Sequence, residues 1–198
     1  MPSLLKAISR VKATPASYKL PLSVQQLPAV CARLDPNDVT DAQTKAVILS
    51  CFFCLLRISN VTVPHATGWD PAKALLRRDI SFYPDGCVLR FRWSKTIQFH
   101  EKTLDITLPK IHCASIWPTR AILRFLFLAR QLPEPTPAFA IQGVDGRIHP
   151  NTQTAMRQKF QALCTAVGLS PADFNTHSLR RSGACFLLAN GVRSELSR

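Results

Sequence analysis

Apolar positions along the chain fall into two textures, and the change between them locates the elements. From Ser23 the apolar residues Val24, Leu27, Val30, Cys31 and Leu34 recur at helical spacing, with Pro28 placed to delay or kink that helix. "DPNDVTD" (35–41) reads as a turn with a helix cap at its end, Thr40 or Asp41. The next helix, about 42–57, includes "AVILSCFFCLL" and is apolar on nearly every face, which predicts a central, buried position.

Alternation then replaces the helical period. "RRDISFY" and "CVLRFRW" flank Pro84-Asp85-Gly86, a hairpin signal. Leu89, Phe91 and Trp93 alternate with Val88, Arg90 and Arg92, and Leu104, Ile106 and Leu108 alternate in "TLDITLP". The pattern predicts a three-stranded antiparallel sheet with one face on the core, and a polar loop "SKTIQFHEK" (94–102) between its last two strands. Helical spacing returns after Pro118, which opens a helix running to about Leu132. The Pro-rich loop 132–139 follows. Asn151 or Thr152 caps a helix whose apolar face is Met156, Phe160, Leu163, Cys164 and Val167, with Gly168 as its stop. In the last helix Thr176 is the expected cap; Leu179, Gly183, Phe186 and Leu187 form the apolar face, and Gly191 ends it. No internal repeat or low-complexity tract interrupts this order. The expected fold class is α+β, mainly α, with helices around one small three-stranded antiparallel sheet.

Composition adds a partner. The 198 residues carry 25 Lys and Arg against 12 acids, a formal charge of +13 with a pI near 10. That imbalance points to a polyanion, nucleic acid before an acidic membrane. Residues 1–20, with Lys6, Arg10, Lys12, Lys19, two prolines and no acid, read as a basic arm or linker. The start has no long apolar segment of the signal-peptide kind, and the longest apolar run is about half of what spans a bilayer. No membrane partner is expected. The seven cysteines are odd in number, and Cys51, Cys54, Cys164 and Cys185 lie in apolar stretches. They read as reduced, buried thiols of an intracellular protein. Cys51-x-x-Cys54 lacks a second pair at matching spacing, and Cys113 has only His112 beside it, so no metal site is expected.

A few polar residues break the apolar pattern. Arg57 closes the run "CFFCLLR"; by itself it is equally a cation finishing a helix. Lys95 stands in the polar loop, with Arg92 and His100 near in sequence; alone it reads as a surface lysine. His177 and Arg180, at i and i+3, share the first turn of the last helix, where backbone N–H groups favour an anion. Arg180 offers a bidentate fork for phosphate, and His177 can donate a hydrogen bond or move a proton. A capping His beside a solvated Arg180–Arg181 pair is the plainer alternative. Taken together, two Arg, a His and a Lys from distant parts of the chain describe a cationic phosphate cradle that needs no metal.

"LLRISNV" (55–61), "RWSKTIQF" (92–99) and "HSLRRSGACFLLANGV" (177–192) resemble, in this order, three boxes of the tyrosine recombinase (phage integrase) family, in a form similar to eukaryotic mobile-element recombinases. The resemblance covers about residues 20–198, so the expected organisation is a basic arm, 1–20, and a catalytic domain, 21–198. "SYKLPLS" resembles the lead-in from an upstream DNA-clamping domain, which these residues do not include.

The resemblance implies roles. Arg57 and Arg180 hold the non-bridging oxygens of a scissile phosphate, His177 donates or accepts a proton, and Lys95 protonates the departing 5′ oxygen. DNA contacts would come from Arg57, Arg92, Lys95, His177, Arg180 and Arg181. The family works through a 3′-phosphotyrosyl intermediate, with no metal or nucleotide cofactor. The implied partner is duplex DNA, with self-association or a full-length relative alongside, and the implied place is intracellular, nuclear in a eukaryote.

Two departures matter. The family has Glu or a similar residue where Asn60 stands. Its second His or Trp and its nucleophilic Tyr follow the His-x-x-Arg helix, whereas the tyrosines here are Tyr18 and Tyr83, both before it. A cradle without a positioned nucleophile should bind DNA and cut little. The expectation is therefore a recombinase-like DNA-binding domain, C-terminally truncated and catalytically incomplete. A non-enzymatic DNA-binding module or regulator using the cradle alone is the alternative, and a chance match in an unrelated basic helical protein is the third reading.

Overall fold

A computed structural model describes residues 19–93, 103–110 and 116–192. Lys95, His100, His112, Cys113 and residues 1–18 lie outside the described residues. The helices are α1 (Gln26–Cys31), α2 (Val39–Phe53), the short α3 (Ile58–Val61), α4 (Pro118–Leu128), α5 (Gln153–Ala166) and α6 (Thr176–Ala189). Strands β1 (Ile80–Tyr83), β2 (Gly86–Phe91) and β3 (Leu104–Pro109) form the expected antiparallel sheet in the order β1-β2-β3. A second, two-stranded ribbon pairs β4 (Ala140–Gln142) with β5 (Ile148–Pro150). None of the described helices is long and apolar enough to cross a membrane.

The α2 helix is the axis of the core, as its all-round apolar character predicted. Ala46, Val47, Ile48, Leu49 and Cys51 are fully buried, and the helix packs against α4, α6 and β4. Its buried polar groups are all satisfied: Gln43 Nε2 donates to Phe139 O at 2.8 Å, and Ser50 Oγ to Ala46 O at 2.8 Å.

Both ends of α2 differ from the sequence expectation. Asp38, not Thr40 or Asp41, is the cap: its extended backbone lets Oδ1 accept from Asp41 N at 2.8 Å. At the other end the helix stops at Phe53 rather than 57. Leu55 takes a left-handed φ of 52°, and Leu56 N donates back to Cys51 O at 3.1 Å. That is a Schellman closure with Leu where Gly is usual. The strained turn persists because Leu55 and Leu56 are packed against the body of the protein, and Arg57 emerges from it in extended conformation.

In the sheet, Cys87, Leu89 and Phe91 of β2 face the core while Arg90 faces solvent, bonded to Asp105 across the ladder. The β3 face is less uniform than its alternation suggests. Leu108 is buried, Ile106 partly so, and Leu104 is 44% exposed, because the start of β3 overhangs the core. Residues Arg77–Asp79 form a 3-10 turn instead of continuing β1. Gly86 is needed where it stands: its φ is 159°, and a Cβ there would lie 3.1 Å from the Leu108 carbonyl carbon.

The α4 helix opens on Pro118 as expected but ends at Leu128, where Ala129 caps it and Leu132 N turns back to Ala129 O. Thr152 caps α5 by accepting from Ala155 N, one of the two options from sequence. Asn175 caps α6 in place of Thr176. The β4–β5 ribbon was not anticipated, its strands being too short to show a period. Its trace in the sequence is the Gly143–Gly146 turn. Cys185, expected in the interior, is exposed, while Cys31, Cys51 and Cys164 are buried. It falls outside the stripe that α6 turns toward α2.

Candidate phosphate-binding site

The site is built where α6 crosses the end of α2. Gly183 makes this crossing close: an added Cβ would stand 2.7 Å from Leu55 Cδ2 and 3.0 Å from the Phe52 carbonyl carbon. Leu179, one turn earlier, is fully buried, and the Phe186 ring meets Phe52 at 5.8 Å between centroids. With that face anchored, the first turn of α6 projects its polar residues toward Arg57.

The first turn is itself held by a reciprocal cap. Asn175 Oδ1 accepts from His177 N at 2.8 Å, and Ser178 Oγ accepts from Asn175 N at 3.2 Å. Ser178 thus fills the part usually taken by Glu, and it is fully buried. Ser182 Oγ accepts from Leu22 N and donates to Ser178 O, each at 2.6 Å, tying the incoming chain to α6.

Arg57 is fixed from its own side. Asn60 Oδ1 accepts from Arg57 N at 2.9 Å, and Asn60 N donates to Arg57 O at 2.8 Å, closing α3 into one turn. The residue that departs from the family pattern therefore holds the Arg57 backbone.

Electrostatics shows which groups feel one another's charge. Partial burial, then the charges of Arg180, Arg181 and Arg57, hold the His177 imidazole below its ordinary value. Burial, then Arg57, also lowers Arg180, which remains a cation. Arg57, His177 and Arg180 thus converge from two segments about 120 residues apart in the sequence. Among the described residues no carboxylate pairs with any of the three. Cations brought together in this way repel one another until an anion arrives.

The other expected contacts have partners within the fold. Arg92 is half-buried and spends Nη2 on Asp79 Oδ2 at 2.7 Å. Asp79 also accepts from Leu76 N at 2.8 Å, so this pair braces the end of β2. Arg181 Nη1 donates to Lys19 O at 2.6 Å, alongside Leu20 N to Asp173 O, so it anchors the lead-in segment. Lys95 lies outside the described residues.

A cavity of about 460 Å3 opens beside Arg57 and is lined by Asn60, Trp69, Lys73, Trp93 and Gln153 among others. Trp93, just past the end of β2, lines this cavity together with Arg57. Its far wall is held by Val63 N to Asn151 O at 2.9 Å and Gln153 N to Val63 O at 3.0 Å. Sequence reasoning missed Trp69, Lys73 and Gln153; scattered through loops and one helix start, they share no period.

No protein-family profile and no curated protein sequence matches the chain. Among solved structures it is similar to complexes of the XerH site-specific recombinase. One is the pre-cleavage complex with difH substrate, with TM-score 0.62 and 13% identity over 94% of this chain and 48% of that one. Another is the post-cleavage complex with palindromic difH substrate, with TM-score 0.64 and 13% identity over 94% and 47%. The chain spans about half the length of these structures, and the likeness is one of fold. That fold agrees with the tyrosine recombinase catalytic domain expected from the three boxes.

Proposed function

We propose that these residues bind duplex DNA as a recombinase-type phosphate-holding domain, with a backbone phosphate between Arg57 and Arg180. The observation that carries this reading is the convergence of Arg57, His177 and Arg180 without a compensating carboxylate. Two guanidinium forks can hold both non-bridging oxygens of one phosphodiester. His177, kept neutral near pH 7, can donate one hydrogen bond or accept a proton. Lys95 is assigned the proton for a departing 5′ oxygen, on the resemblance of "RWSKTIQF" and on the position of Trp93 at the cavity. The chemistry calls for no metal or nucleotide cofactor. XerH is described in complexes with its DNA substrate, and duplex DNA is the partner we assign here.

The attacking residue is the part these residues do not supply. Tyr83 is 60% exposed beside the β1–β2 turn, and no Tyr follows Arg180 in the sequence given. Residues 1–198 alone therefore bind and do not cleave. A second reading, a DNA-binding module or regulator that uses the cradle without chemistry, rests on the same arrangement of Arg57, His177 and Arg180.

The test is affinity for a labelled duplex across salt concentrations. The log–log plot should fall with a slope of about −0.9 per phosphate neutralised. Absent or salt-independent binding refutes both readings. A nicked suicide substrate tests the missing nucleophile: strand cleavage by residues 1–198 would contradict it.

A further inference from the structure

The outward face of α4 breaks the usual amphipathic rule. The inner side of the helix, with Ala121, Ile122 and Phe125, is buried in the core. The side turned to solvent should then be polar throughout. Instead Leu123 and Phe127, one turn apart, are 53% and 55% exposed. Arg120 and Arg124 share that side, interleaved with them at helical spacing. Arg130, just past the helix end, lies over the Phe127 ring at 4.8 Å.

The cations of this face have no acids to pair with. A second cavity, also about 460 Å3, separates it from the first turns of α2, and Lys45, Arg120 and Arg124 line that recess with no carboxylate among them. Arg124 is held by neutral acceptors: Nε donates to Pro36 O at 3.0 Å and Nη2 to Asn37 Oδ1 at 2.6 Å. These bonds fix the guanidinium without cancelling its charge. None of Lys45, Arg120, Arg124 and Arg130 has an ion pair among the described residues. The nearby acids are engaged elsewhere. Asp38 caps α2, Asp35 accepts from Asn37 N, and Asp41 pairs with Lys159 at 2.9 Å. By contrast, Lys73, Arg90, Arg92 and Arg147 each face a carboxylate.

We propose that this face docks an acidic amphipathic segment of a partner protein, its apolar side chains on Leu123 and Phe127 and its carboxylates on Arg120, Arg124 and Lys45. Charge complementarity selects that occupant, and the two apolar side chains between the cations give it surface to bury. A duplex flank would satisfy the cations but bury nothing apolar on Leu123 and Phe127. A lipid surface would not fill the recess, and an interfacial helix sinks a broader apolar face than these two residues make. A second copy of this chain is a poorer match, because its densest run of acids, 35–41, is the one already engaged. None of the residues at the phosphate site takes part.

The test is fluorescence anisotropy of the whole chain with a labelled helical peptide carrying Leu and Phe on one side and Glu flanking them. Binding should be saturable, and a scrambled peptide of the same composition should bind at least about tenfold more weakly. Arg120→Glu and Leu123→Ser should each weaken the parent peptide about tenfold with unchanged thermal unfolding. Phe127→Ala gives the same reading if Leu123→Ser fails to fold. Arg57→Ala should bind the peptide as the parent protein does. No saturable binding overturns the proposal, and so does equal binding of the scrambled peptide, which charge alone would produce. Loss of binding in Arg57→Ala but not in Arg120→Glu moves the peptide to the phosphate site and also overturns it. Tighter binding of phosphatidylserine vesicles, or of duplex DNA by Arg57→Ala, that Arg120→Glu abolishes assigns the face to lipid or to DNA instead.

Discussion

Gly183 on α6 lies so close to the Phe52 carbonyl at the end of α2 that a single methyl group would enter its van der Waals envelope. The contact sets the crossing of the two helices, and with it the approach of Arg180 and His177 to Arg57. Gly183→Ala should therefore lower stability by about 1–3 kcal/mol, despite the better helix propensity of Ala. Urea unfolding measures this. DNA affinity should fall with it, since any relaxation moves α6 away from Arg57. Unchanged stability would mean the crossing is looser than it stands here.

Arg180 is expected to act through phosphate rather than through the fold. Arg180→Ala should weaken duplex binding about tenfold and make the salt slope shallower by about one phosphate. The thermal midpoint should change little. Equal affinity and slope in the variant would remove Arg180 from the interface.

His177 links binding to pH. Its folded value lies below the ordinary histidine value of about 6.5, so free protein takes up this proton less readily than the unfolded chain. Its stability contribution is present above pH 6.5 and is lost as pH falls through the lowered value. A bound phosphate reverses the local field and favours the imidazolium. DNA affinity should thus rise below pH 6.5, with proton uptake visible by calorimetry in buffers of different ionisation heat. His177→Gln should abolish that uptake. A pH-independent affinity in the parent protein would contradict the placement.

Asp79 neutralises Arg92 at the end of β2. Asp79→Ala leaves Arg92 half-buried without its partner and Leu76 N without an acceptor, a loss of about 2–4 kcal/mol. Chemical denaturation of Asp79→Ala and of the double variant with Arg92→Met measures it, and the double should recover part of the loss.

Thiol reactivity reports the core. Burial pushes Cys51 up to about 12, and Cys31 and Cys164 up to about 11. Cys185 is exposed. Peptide-resolved alkylation of native protein should label Cys185 well before Cys31, Cys51 and Cys164, which should react only on unfolding.

Much of this molecule was legible in its residues. The all-round apolar run of α2 required burial, and the period-2 segments around Pro84-Asp85-Gly86 required a hairpin, because each pattern leaves one way to hide its side chains. Pro118, Thr152 and Gly168 marked helix ends through local backbone chemistry, which neighbours in sequence can settle. Two of the three boxes singled out Arg57, His177 and Arg180, while Lys95 of the other lies outside the described residues.

Tertiary structure decided the rest. Leu55 holds a left-handed turn that its own side chain disfavours, so only its packing could end α2 at Phe53. The pairing of Arg92 with Asp79 and of Arg181 with Lys19 O is set by which elements the fold brings together. Residue types alone left all of these cations equivalent. The sequence by itself singled out Arg57, His177 and Arg180; the crossing of α6 over α2 brings their two segments near one another. Through-space charge depends on distance, and distances between segments 120 residues apart are fixed by packing.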